Sequence, residues 1–123
     1  MFKALVVDDH PFIRSSVKML LKQEHFDVVA EADNGADAVQ MAREHEPDLI
    51  VLDIAMPKLD GLEVIARICA LDLKCKILVL TSQSPLFYSM RCMKAGAAGY
   101  ISKTNDLDEL IKAIKAVMGG YTF

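Results

Sequence analysis

Five short apolar runs recur along this chain, at residues 4–7, 28–30, 49–52, 77–80 and 98–101. Runs 4–7, 49–52 and 77–80 are continuous and rich in Val, Ile and Leu, without polar alternation. A strand of that kind has both faces buried, as in a parallel sheet covered by helices. The segments between the runs carry helical spacing. Ile13, Val17, Leu20 and Leu21 fall at i, i+4, i+7 and i+8, with Arg14, Lys18 and Lys22 on another face. Pro11 suits a first helical turn. Ala38, Val39 and Ala42 form the stripe of 35–45, and Leu62, Ile65 and Ile68 that of 61–71. Residues 86–95 give a weaker pattern, with Met90 and Met93. Residues 106–118 give the clearest: Asp106, Asp108 and Glu109 crowd the first turn, where the helix dipole favours acids, and Gly119-Gly120 stops the helix. Its stripe is Leu107, Leu110, Ile111, Ile114 and Val117.

Strand alternating with helix predicts an α/β fold, a doubly wound five-stranded parallel sheet of (βα)5, flavodoxin-like type, with strand order 2-1-3-4-5. The ligand site of such a sheet lies at the carboxyl ends of strands 1 and 3, where the winding reverses. With 123 residues the chain makes one domain, 1–123. Lys and Arg number 14 against 17 Asp and Glu, a formal net charge of −3, which argues against a basic nucleic-acid module. The apolar run at 4–7 is too short for a signal peptide or a membrane span. Cys69, Cys75 and Cys92 form no Cys-x-x-Cys and no metal spacing, so they read as buried or half-buried thiols in a reducing cytoplasm. No P-loop or Gly-x-Gly-x-x-Gly occurs, which disfavours a nucleotide-binding enzyme.

Chemistry gathers at the strand ends. Asp8 and Asp9 follow the first run, Asp53 the third, Thr81 and Ser82 the fourth, Ser102 and Lys103 the fifth. Clustered carboxylates need a compensating cation, and an oxygen donor set selects a hard ion, Mg²⁺ before Ca²⁺. A carboxylate beside Mg²⁺ and an ammonium is a nucleophile for a phosphoryl group, and the Thr81 hydroxyl then donates to a phosphoryl oxygen. Singly, each residue has a plainer role: an Asp after a strand caps a turn, and Lys103 is a solvated surface charge. The case rests on all of them meeting at one edge. His10-Pro11 reads first as the opening of helix 1, although His10 stands close enough in sequence to approach the acids. The methionines read mostly as core filler, with an adaptable contact face as the alternative for Met90 and Met93.

These residues have a known setting. Val7-Asp8-Asp9-His10-Pro11, Asp53-Ile-Ala-Met-Pro-Lys-Leu-Asp-Gly61, Thr81 and Lys94-Ala-Gly-Ala-Ala-Gly-Tyr-Ile-Ser-Lys103 together resemble the CheY-like receiver domain of two-component response regulators. With the ending Ala116-Val-Met-Gly-Gly-Tyr-Thr-Phe123, the likeness is to the NarL/FixJ subfamily, of BvgA/EvgA type. The resemblance implies that Asp53 accepts a phosphoryl group from a sensor histidine kinase. It implies Mg²⁺ held by Asp9 and Asp53, by the Ala55 carbonyl, and by Asp8 partly through water. Thr81 and Lys103 would hold the phosphoryl oxygens, and Tyr100 would be the switch aromatic coupled to Thr81. The output surface would be the helix 4–strand 5–helix 5 face, with homodimers as one outcome. DNA would be reached only through a downstream helix-turn-helix domain outside this chain, so the role is transcription regulation and not metabolic catalysis. The alternative is a stand-alone or degenerate receiver that acts only through protein–protein contacts. Three departures stand out, one of them Ser82, larger than the Ala or Gly often found there and expected to narrow access to Asp53. Thr104 occupies the place where many receivers have Pro, and Ala55 offers no side chain to position a hydrolytic water, so a long-lived phosphoryl state is expected. An aspartyl-phosphate hydrolase of the haloacid-dehalogenase kind is disfavoured, because Ile54-Ala55 follows Asp53 where that group has Asp-x-Asp. A flavodoxin-like FMN carrier is disfavoured because two acids after strand 1 would repel its phosphate.

Overall fold

The inner apolar runs become strands whose successive side chains enter opposite layers. In a computed structural model describing residues 1–54, 60–81, 86–102 and 107–123 (backbone alone for Thr81, Leu86, Phe87, Ser89 and Leu107), strand and helix alternate throughout. The elements are β1 (Lys3–Val7), α1 (Pro11–Gln23), β2 (Asp27–Ala32), α2 (Gly35–His45), β3 (Leu49–Asp53), α3 (Gly61–Cys69), β4 (Lys76–Thr81), α4 (Leu86–Ala95), β5 (Gly99–Ser102) and α5 (Leu107–Met118). The sheet is parallel, in the expected order β2-β1-β3-β4-β5. Ala4, Val6, Leu49, Val51, Leu78 and Leu80 face the layer of α1 and α5. Leu5, Val7, Ile50, Leu52, Ile77 and Val79 face the layer of α2, α3 and α4. Two apolar layers, one on each side, are why these runs lack polar alternation.

β2 is an outer strand and departs from simple alternation. Ala4 pairs with Val28 but Leu5 pairs with Ala30, so Val29 is an extra residue in the ladder. Such a bulge shifts the side-chain phase by one. Val28 packs into the α1/α5 layer, whereas Ala30 and Ala32 pack into the other. Glu31, paired with Val6, is thereby turned toward α1, where Arg14 Nε and Lys18 Nζ donate to its two carboxylate oxygens at 3.0 and 2.8 Å.

Helix ends follow local chemistry. Asn34 caps α2 by accepting the Asp37 N–H at 2.8 Å, and Asp60 caps α3 by accepting the Glu63 N–H at 3.3 Å. Gly61 is required by close approach, since a β-carbon there would stand 2.7 Å from Ile54 Cγ2. α3 ends two residues earlier than the pattern over 61–71 suggests, because the chain reverses at Asp72, which takes φ 57°. Cys92 is buried and Cys75 half-buried as expected, but Cys69 is exposed. It is the last residue of α3, one position past the stripe ending at Ile68, and its thiol lies over Gly96. Burial pushes all three thiols above the ordinary range. Met90 and Met19 are exposed rather than core filler, and Met93 is half-buried.

Candidate functional site

The site begins with register. Val7 pairs with Leu52, so Asp8 and Asp53, each one step further, emerge side by side at the carboxyl edge of β1 and β3. Among the described residues they are the buried charged groups, at 2% and 1% exposure. Asp9 is next to them and more open, with 28% of its side chain exposed. Leu80 pairs with Asp53, and Thr81 pairs with Ser102, so the backbone of Thr81 ends β4 one step beyond Asp53. The sheet thus brings the ends of four strands to one edge, as the sequence predicts.

Asp8 is fixed through its backbone on both sides. Its N–H donates to the Ala32 carbonyl at 3.0 Å, extending the β1–β2 ladder. Its carbonyl accepts from Arg14 Nη1 at 2.7 Å. Arg14 is itself held by Glu31, whose carboxyl lies below the ordinary carboxylate range, chiefly through the hydrogen bond from Lys18, with Arg14 adding to it. The bulge in β2 therefore sets the position of Glu31, which sets Arg14, which braces the acid loop.

His10 is the residue that sequence reasoning underweighted. It does open α1, as its N-cap, with φ −97° and ψ 106°. Pro11 restricts the residue before it to that extended region. The His10 N–H then donates to Asp8 Oδ1 at 2.9 Å, a turn of the Asx kind. This brings the ring back over the acids. His10 Nδ1 lies 3.0 Å from Asp8 Oδ1, 2.9 Å from Asp9 Oδ1 and 3.7 Å from Asp53 Oδ2. The Asp–x–His–Pro order was the available signal: an acid able to accept from the amide two positions on, and a Pro to fix the turn.

One ligand atom from each of Asp8, Asp9, His10 and Asp53 can be chosen so that all lie within 4.8 Å of one another. Three carboxylates, two of them nearly out of solvent, concentrate negative charge that a hard dication would neutralise, so the donor set fits Mg²⁺. Chemically, the arrangement offers a cation site with a buried carboxylate beside it.

Residues 4–115 match the response regulator receiver domain. The chain belongs to the response regulator receiver family. This receiver is 52% identical over 121 residues to the virulence-factor transcription regulator BvgA of Bordetella pertussis, covering 98% of the chain and 58% of BvgA. It is 38% identical over 124 residues to the response regulator GacA of Pseudomonas aeruginosa, covering 100% of the chain and 58% of GacA. Among solved structures it is similar to a LuxR-family two-component response regulator from Aurantimonas, with TM-score 0.93, 32% identity, and coverage of 99% of this chain and 88% of that one. The receiver thus spans 58% of the length of the two regulators. Among its described residues no helix is long and apolar enough to cross a membrane.

Of the receiver's expected site residues, the structure brings Asp8, Asp9 and Asp53 together. Tyr100 is half-buried on β5, in the layer of α2, α3 and α4. The Thr81 side chain, Ala55, Ser82, Lys103 and Thr104 lie outside what is described.

Proposed function

We propose that this receiver takes a phosphoryl group onto Asp53 from a histidine of a sensor kinase in the cytoplasm, and so controls transcription through a DNA-binding domain beyond this chain. The observation that supports this most is the near-complete burial of Asp53 against Asp8, with Asp9 in reach, at the carboxyl edge of β1 and β3. Asp8, Asp9 and Asp53 would hold Mg²⁺, with the Ala55 carbonyl as a further donor. The ion supplies charge neutralisation between carboxylates and phosphoryl oxygens. The Asp53 carboxylate forms the new O–P bond as the N–P bond to the kinase imidazole breaks, and that imidazole leaves with the bonding pair. Thr81 and Lys103 would donate to the phosphoryl oxygens. Movement of Thr81 toward them would let Tyr100 turn inward and alter the α4–β5–α5 face, a two-state equilibrium biased by local contacts. That face would then serve homodimer formation. The transcription-regulator relatives, of which this chain spans 58%, support the DNA output.

The test is intact mass after incubation with Mg²⁺ and acetyl phosphate, beside Asp53→Asn. A gain of one phosphoryl group in the wild type alone is the expected result. No gain, with the fold intact by circular dichroism, would overturn the phosphotransfer reading and leave a protein-interaction module. Because Ala55 has no polar side chain, Ala55→Asn should shorten the life of the phosphorylated form. A decay course matching the wild type would refute that.

A further inference from the structure

We propose that His10 is a nitrogen ligand of the acidic site and makes this receiver bind first-row transition-metal dications more tightly than three carboxylates would. The inference rests on reading the acids as a metal site. In an octahedral set with bonds of about 2.1 Å, neighbouring donor atoms stand about 3 Å apart. His10 Nδ1 stands 3.0 Å from Asp8 Oδ1 and 2.9 Å from Asp9 Oδ1, with Asp53 Oδ2 at 3.7 Å. The imidazole nitrogen is therefore spaced from the carboxylate oxygens as one donor is from the next.

The ring's position is built in by the backbone. Pro11 holds His10 extended, and the His10 N–H is tied to Asp8 Oδ1 at 2.9 Å, so the side chain leaves the chain toward the acids. The imidazole makes no capping hydrogen bond to α1; its Nδ1 is instead hydrogen-bonded to Asp8 Oδ1 at 3.0 Å, which holds the ring among the groups that would share an ion with it. The two inner carboxylates have side-chain exposures of 3% and 0%, whereas His10 is 54% exposed. The nitrogen thus completes the open side of a site whose floor is oxygen. Imidazole adds affinity for Co²⁺, Ni²⁺ and Zn²⁺, while Mg²⁺ gains little from a nitrogen donor. His10 is in this sense a specificity residue: it leaves the hard-ion site in place and widens its metal range.

The test compares the full chain with His10→Asn, which keeps a good N-cap. Co²⁺ is titrated by visible absorption and by proton NMR, where a coordinated imidazole gives a contact-shifted exchangeable N–H signal. Mg²⁺ is titrated by amide shifts, with Asp53→Asn as the control for the site itself. The expected result is a loss of about tenfold or more in Co²⁺ affinity in His10→Asn. The shifted imidazole signal should vanish and Mg²⁺ binding should hold. Equal weakening of both ions would make His10 structural, and unchanged Co²⁺ binding would remove it from the ligand set. Tighter Mg²⁺ binding in the variant would make it an internal counter-cation. Each of these overturns the proposal while the acidic site stands. A wild type that binds neither ion overturns both.

Discussion

On one side of the sheet, α1 and α5 close over Val17, Leu20, Leu21, Leu110, Ile114 and Val117, all buried and nearly all large. On the other side α3 likewise buries Val64, Ile65 and Ile68, but among the described residues α2 and α4 bury Ala38, Ala42 and Cys92, and Tyr88, Met93 and Tyr100 are only half-buried around them. Large branched side chains interlock and resist displacement, whereas small ones let helices approach the sheet with little to hold their register. The difference assigns roles. The acid loop is braced from the α1 side, through Arg14 and Glu31. The half-buried aromatics, which a switch would have to move, belong to the α4 side. The brace on the acid loop and the half-buried aromatics thus lie on opposite faces of one sheet.

Four substitutions would break or sharpen that contrast. Ile114→Ala, at a site 2% exposed, should cost about 3 kcal/mol in urea unfolding. A cost no greater than that of the α4-side variants would erase the distinction. Gly96→Ala, between α4 and β5, should cost about 2 kcal/mol, because Gly96 takes φ +122°. The added β-carbon would also meet Cys69 Sγ at 2.5 Å. A double variant with Cys69→Ala should recover little, since the thiol can turn aside but the backbone angle remains. Met93→Leu should cost under about 1 kcal/mol, as a volume-conserving change at a half-buried position. A larger loss would show that the α4 layer is as tightly keyed as the other. Glu31→Gln should give the smallest effect, because the carboxylate is exposed and screened. The folded state holds the Glu31 carboxyl below its ordinary value of 4.5, so its contribution is present above that value and disappears as the pH falls through the lowered one. Stability curves of the variant and the wild type should therefore separate slightly at neutral pH and converge in acid.

The sheet was legible because β1, β3 and β4 are apolar on both faces, a pattern with few other homes. Asp8, Asp9 and Asp53 were legible because topology alone carries them to one edge. The bulge at Val29 was not, since Val28-Val29-Ala30 reads the same with or without it, and the offset exists only in the pairing with β1. Cys69 was misread because helical periodicity gives its angle but not where α3 stops. His10 was legible as the residue that opens α1, but the place of its ring was not, because that depends on the turn made with Asp8.

The offset in β2 bears on more than Glu31. β2 is the sheet's border on the α2 side, and its outward donors and acceptors are unevenly spaced where Val29 interrupts the ladder. A second chain laid along this border would fall out of step there, with the carboxylates of Asp27 and Glu31 flanking the apolar run. The same irregularity that aims one carboxylate at α1 makes the border a poor template for strand addition, and so guards the fold against growing into fibres.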